Sequence, residues 1–502
     1  MAVRVSCGHF LIYASQKTDI LRLPNNRKGT KPMKRLVSLL ITYTLTFGLC
    51  ACAGERVGET TEPTVQGLQV GYAKVSITPG DGINLGGYGN EKTRISTGFL
   101  DYLYATCIAL KDGENVAVLF STDIIYAYAP WTEEVRTAIH TQFGIPKENI
   151  HIGATHIHTG PELRTNYDAV LSWKTEYVNG LTEAAGKAIA DLAPAVMYGK
   201  KVQTENQNFV RHYKMSNGTY AGSNFGDWSL TPVAHAVPGD PEMTLVKFAR
   251  EGEKKDILLM NWQAHPDMMG GTLLSADYIG AVREILEKET GMDFIFFLGA
   301  TGDQNPFSRI SGEKTNIGYK KYGAELAQYA IDALPEMTEK IEGQGIAVGQ
   351  ETITYSCNKH GQDRLGDAQK VVDLFRQTGD SAGAAYTLAR SLGFESVFHC
   401  TGIVSCSKYP LTDEFTVNVL RIGNLGFVVA PYEMFSENGK YIKANSPYPY
   451  TVISTCSNAA NGYFPTREAF EYGCYEGYSA RFASGVGEDT AAKFVELLKE
   501  IQ

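Results

Sequence analysis

Five times along this 502-residue chain, an apolar, strand-like run gives way to a residue able to hold a metal ion or act on a substrate. The run at 149–154 leads to His156 and His158, and that at 256–262 to His265. Those at 294–298, 425–429 and 450–454 lead to Asn305, Glu433 and Tyr463. Between them, apolar residues recur at helical spacing over 131–143, 177–192, 276–290, 319–334 and 490–501. This alternation predicts an α/β fold, with mixed β-sheets flanked by helices, in a single large catalytic domain. Such folds place their sites at strand ends, because the strands are rigid and the loops beyond them are free to vary. Two antiparallel hairpins are expected, 243–248 with 256–262 and 415–422 with 425–429, the second turned by Gly423-Asn424. The helical stretch 367–392 reads as an insertion or lid. Gly86-Gly87-Tyr88-Gly89 lacks the spacing of a phosphate cradle and reads as a tight loop near the site.

The most specific of these segments is Gly153-Ala154-Thr155-His156-Ile157-His158-Thr159-Gly160-Pro161. Residues two apart in an extended backbone share a face, so both imidazoles are expected to enter one cavity where the strand becomes a loop. No Cys-x-x-Cys spacing occurs, so any metal takes histidine and oxygen ligands. With 43% apolar and 20% charged residues, 28 Tyr and 22 Phe, the chain has the means to bury a large core, which excludes a disordered protein. Its net charge of -9, without a basic patch, argues against a nucleic-acid partner.

The beginning of the chain reads as an export signal. Met33-Lys34-Arg35 precedes an apolar run to Leu49 that is too short for a membrane span, and Leu49-Cys50-Ala51-Cys52 has the form of a lipobox with Cys52 lipidated. Residues 1–32 are then a mis-assigned upstream segment with Met33 the initiator, and 53–66 a flexible tether. The expectation is an exported bacterial lipoprotein held to a membrane through its lipid, in the periplasm, on the outer membrane or at the cell surface. The cysteines beyond the signal are Cys107, Cys357, Cys400, Cys406, Cys456 and Cys474. Their even number permits disulfides without fixing a pairing.

Taken together, the segments from about residue 67 to the end resemble the catalytic domain of the neutral ceramidases, zinc amidases that split ceramide into a fatty acid and a sphingoid base. The likeness is carried by Gly71–Gly80, Ala154–Pro161, Asn261-Trp262-Gln263-Ala264-His265-Pro266, Pro431-Tyr432-Glu433, and Gly462-Tyr463 with Tyr475-Glu476-Gly477. The resemblance implies Zn2+ held by His156, His265, Glu433 and Tyr463. It implies substrate contacts from His158, Arg211 and Tyr475. Where the family has a serine in a Gly-Asp-x-Ser-Pro segment, Asn305 stands in Gly302-Asp303-Gln304-Asn305-Pro306. An amide there can donate a hydrogen bond but not act as a nucleophile, which favours metal-activated water. Longer members carry a C-terminal immunoglobulin-like domain, whereas the helix over 490–501 reaches the end of this sequence, so none is expected. The alternatives are a zinc hydrolase of the same fold acting on another amide or an ester, and a non-catalytic surface lipoprotein binding lipid or glycan.

Overall fold

Strand Tyr104–Asp112 shows how the layers arise. Ala105, Cys107 and Ala109 face one hydrophobic core, while Ile108 and Leu110 face another, so a single strand is buried on both sides. In the computed structural model, which describes residues 67–502 apart from Thr165, this strand lies inside a nine-stranded mixed sheet. The segments read above as upstream sequence, signal, lipobox and tether lie outside the described residues.

In chain order the large sheet comprises β1 (Gln69–Ser76), β2 (Tyr104–Asp112), β3 (Asn115–Thr122), β4 (Ile150–Ala154), β5 (Ala193–Gln203), β6 (Glu242–Arg250), β7 (Ile257–Trp262) and β8 (Asp293–Leu298). Their spatial order is β8-β7-β6-β5-β1-β2-β3-β4, and the short strand Glu339–Lys340 also pairs with β5. A second sheet, β9 (Ile346–Ser356), β10 (Thr412–Ile422), β11 (Leu425–Val429) and β12 (Tyr450–Ser454), packs against one of its faces through Ile295, Phe297, Phe427 and Val452. Helices α1 (Ala129–Phe143), α2 (Asp168–Ala190), α3 (Asp277–Thr290) and α4 (Tyr319–Ala333) cover the other face of the large sheet. The outer face of the second sheet is covered by Val486–Glu500, through Phe494, Val495 and Leu498. The result is a four-layer α/β/β/α sandwich. The α3 helix follows the amphipathic rule, burying Ile279, Val282 and Leu286 on one stripe, and Gly291 at φ 71° closes its C-terminus in the left-handed conformation.

Within the two large sheets, parallel pairing occurs in three places, each with a helical crossover: β3–α1–β4, β7–α3–β8, and β11–Ser436–Asn445–β12. The large sheet curls until its two edges reach one segment. Thr455 N–H donates to the Leu298 carbonyl at the end of β8 (2.9 Å), and Asn458 N–H donates to the Ile152 carbonyl in β4 (2.8 Å). The Asn261 side chain joins the two sheets, donating to the Ile453 carbonyl (2.8 Å) and accepting from its N–H (3.0 Å). The six parallel-paired strands of these two sheets therefore discharge at one place, where α/β folds put their ligands.

The helical insertion is longer than the sequence suggests. Its helices Leu365–Thr378, Ala384–Ser391 and Val397–Lys408 share a core of their own around Val371, Ala385, Phe394 and Cys400. All six cysteines past residue 66 are buried free thiols, so the permitted disulfides do not form among the described residues. No helix among these residues is long and apolar enough to cross a membrane.

Candidate metal centre

The strand-end rule brings the histidines together by a route that differs from simple alternation. Strand β4 stops at Ala154, and His156 lies beyond it at φ 63°, so the two imidazoles do not share the face of one strand. The left-handed turn is held by backbone bonds, Thr155 N–H to Thr122 O (2.8 Å) and His156 N–H to Ile124 O (3.0 Å). Cys456, on the facing loop, is also left-handed at φ 52°. Such conformations persist where surrounding structure enforces them, characteristically at functional sites.

His156, His158 and His265 form a triangle, with ring centroids 4.8–5.2 Å apart. They are 1%, 8% and 0% exposed, too buried for chance surface histidines. His158 N–H donates to the Pro266 carbonyl (3.1 Å), which ties the two histidine loops together. The Nδ1 of His156 meets the Ile125 carbonyl at 2.8 Å, which makes it the protonated nitrogen and leaves a lone pair on Nε2. That lone pair lies 3.3 Å from Glu433 Oε2, and both atoms are buried without a hydrogen-bond partner. Two facing acceptors in a dry cavity are costly unless something positive lies between them. Burial alone would lower the pKa of His156, but Cys456 and Glu433 raise it well above the usual range, another sign that the pair attracts positive charge. His158 and His265 are held neutral, first by burial and then by surrounding cations, and their Nε2 atoms are 3.0 Å apart. The donor set, with backbone carbonyls of Ile125 and Thr301 facing the Nδ1 atoms of His156 and His265, fits a metal ion.

Tyr463 joins through a two-stranded parallel ribbon in which Glu433 and Tyr463 are directly paired. Glu433 occupies the short strand Glu433–Met434, and the helix that follows begins at Ser436. Gly302 permits this approach, since a Cβ there would sit 3.0 Å from the Glu433 carbonyl and 2.9 Å from that of Met434.

Arg211 lies 6% exposed, its Nη2 2.8 Å from the Gly302 carbonyl and 3.4 Å from the Tyr463 phenol. Glu476 takes both Nε (3.0 Å) and Nη2 (2.7 Å), and its other oxygen meets His212 Nε2 at 2.8 Å. His212 Nδ1 in turn meets the Tyr472 hydroxyl at 2.6 Å. Sequence reading missed Glu476 and His212 as functional candidates, although both adjoin residues that it singled out. Tyr475, whose phenol is pushed up to about 12 by burial and by Glu476 and Glu433, has its ring 6.1 Å from that of Tyr463.

These groups open on a cavity of about 770 Å³ lined by His158, His265, Arg211, Tyr463 and Tyr475. The glycine loop forms part of its wall, and Gly87 at φ 104° is pressed so closely on His158 that a Cβ would fall 2.6 Å from the ring. The helical insertion supplies Phe375 and Phe398. Asn305 stands apart: its backbone pairs with Phe209, and its Oδ1 is buried without a partner. It does not line the cavity. Replacing it by serine removes an unpaired carbonyl oxygen rather than a contact, so Asn305→Ser is expected to retain most of the activity; an inactive but folded variant would place the amide in the reaction.

The fold and this centre define a class, α/β proteins that gather imidazoles, a carboxylate and a phenol at strand ends around a candidate metal site. The family described as neutral/alkaline non-lysosomal ceramidase, N-terminal, matches residues 68–371, more than half of the chain, and the chain belongs to it. Its fold is similar to that of the neutral ceramidase from Pseudomonas aeruginosa, with a TM-score of 0.65 and 17% identity, covering 86% of this chain and 74% of that one. It is also similar to a ceramidase complexed with C2, with a TM-score of 0.63 and 18% identity, covering 86% and 75%. No curated protein matches significantly.

Proposed function

We propose that this protein is a zinc-dependent amidohydrolase that cleaves the N-acyl bond of ceramide or a related N-acyl lipid to a fatty acid and a sphingoid base. The observation that carries this reading is the pair of buried, unpartnered acceptors, His156 Nε2 and Glu433 Oε2, beside two neutral histidines. His156, His265, Glu433 and Tyr463 would hold the ion, and nitrogen and oxygen donors of this kind suit zinc. Zinc in such a site supplies a water made acidic enough to attack at neutral pH.

The remaining work falls to the chain. Glu476 and Gly302 fix the Arg211 guanidinium, leaving Nη1 without a protein partner among the described residues and available to an oxyanion. Tyr475 remains protonated at neutral pH and donates beside it. His158, neutral and in the cavity wall, is placed to pass a proton to the departing amine. Phe375 and Phe398 give an acyl or sphingoid chain an apolar wall. The lipobox at Cys52 and the tether beyond it support anchoring at a membrane, where such a substrate resides.

A hydrolysis assay with N-acylsphingosine, with and without a chelator, tests this reading. Chelation is expected to abolish activity and zinc to restore it. Full turnover by demetallated protein would refute the metal assignment. Asn305 at the family's serine position favours keeping other amides and esters in the same product analysis.

A further inference from the structure

The cavity holds two arginines in opposite states. Arg211 is buried and neutralised by Glu476. Arg309 is exposed, and among the described residues no carboxylate lies within ion-pair distance of it. Its guanidinium instead lies over the Trp228 ring, 4.5 Å from the centroid. Both partners are fixed from behind. Trp228 Nε1–H donates to the Gly222 carbonyl (2.9 Å), the Tyr213 ring packs edge-on against Trp228 at 5.6 Å, and the Tyr213 hydroxyl accepts from the Arg309 backbone N–H (3.1 Å). The neighbouring carboxylates are engaged elsewhere, Glu313 by His235 (2.7 Å) and Asp227 by Ser229 (2.7 and 2.9 Å). The one carboxylate among the residues lining the cavity, Asp267, belongs to the His265 loop and makes no ion pair with Arg309.

A planar cation stacked on an indole and lacking an anion is a preorganised receptor for a phosphate or carboxylate, because the fork matches two oxygens and the stacking holds it in place. Resting on the amidase reading, we propose that the preferred substrate is an N-acyl lipid bearing an anionic group, a phosphate ester or a carboxylate, which Arg309 binds at the cavity wall while the amide reaches the histidines.

The test compares the zinc-loaded enzyme with its Arg309→Ala and Arg309→Lys variants on N-acylsphingosine, on its 1-phosphate and on an N-acyl amino acid. The two charged substrates separate the phosphate from the carboxylate source. Wild type is expected to favour at least one of them. Arg309→Ala should lower its kcat/KM about tenfold to hundredfold, mainly through KM, as loss of one charge-assisted contact predicts, while N-acylsphingosine stays within about twofold. Lysine should recover part of the loss. Equal effects on charged and neutral substrates, or indifference to the variant, would overturn the proposal. Should no substrate be cleaved, the amidase reading fails, and calorimetric titration with dodecyl phosphate still decides the subsite. Binding lost in Arg309→Ala upholds it, and absent or Arg309-independent binding ends it.

Discussion

Replacing His156 is expected to strip the protein of zinc and to lower turnover of N-acylsphingosine by about 10³-fold or more, the scale of several kcal/mol of metal-supplied stabilisation. The choice of substituent matters. His156 sits at φ 63°, where a residue with a Cβ is strained by roughly 1–2 kcal/mol, and asparagine tolerates that conformation better than alanine. His156→Asn is thus the cleaner variant and His156→Ala the harsher one. Both remove the lone pair that faces Glu433 Oε2 across 3.3 Å and leave that carboxylate alone in a buried site. Metal analysis should show near-stoichiometric zinc in the wild type and little in either variant, while circular dichroism shows the same fold. A variant that is fully active without metal would end the proposed mechanism, and one that retains zinc would remove His156 from the ligand set.

The elements that position the site were largely legible because each couples a short apolar run to a hard stop. Strands 425–429 and 450–454 are read correctly to the residue, and β7 and β8 nearly so, since strands buried on both faces carry continuous apolar sequence. The helix read at 177–192 in fact begins at Asp168, because the exposed positions in its first turns weaken the periodicity. Strands β2 and β9 escaped notice for different reasons. In β2, small residues such as Ala105 and Ala109 fill the helix-facing core, and β9 is half exposed along most of its length. The third insertion helix, Val397–Lys408, was missed because it is apolar on nearly every side, a helix that buries most of its surface. Convergence itself is not written in any one segment. It depends on the large sheet curling until β4 and β8 both bond to residues 455–458, a consequence of twist accumulated over eight strands. The role of Glu476 was hidden for a related reason: an acidic residue within Tyr475-Glu476-Gly477 shows what it does only when the fold sets it against Arg211 and His212.

That carboxylate makes the second large prediction. Glu476 is 0% exposed, and although burial alone would raise its pKa, His212 and Arg211 hold it at about 2. Glu476→Gln preserves shape and removes the charge, leaving the buried guanidinium of Arg211 uncompensated. Breaking a buried pair in this way costs about 3–5 kcal/mol, so the midpoint of thermal unfolding should fall by several degrees. If Glu476 acts on the reaction by aiming Arg211 at the oxyanion, kcat should drop by about 10²–10³-fold, the effect of losing one such donor, with KM little changed. The double variant with Arg211→Ala should then lose no more than Arg211→Ala alone, because the two act as one unit. Glu476→Asp, which keeps the charge at a shorter reach, should recover part of kcat. The acid side gives an independent readout. The folded-state pKa of about 2 lies below the ordinary 4.5, so this carboxylate stabilises the fold fully above about pH 4.5, and the stabilisation is lost as pH falls toward 2. Unfolding free energy of the wild type should decline across that window, and that of Glu476→Gln should decline less. Should Glu476→Gln keep full kcat while losing stability, Glu476 would be a structural brace, and Arg211 would have to find its aim from the Gly302 carbonyl alone.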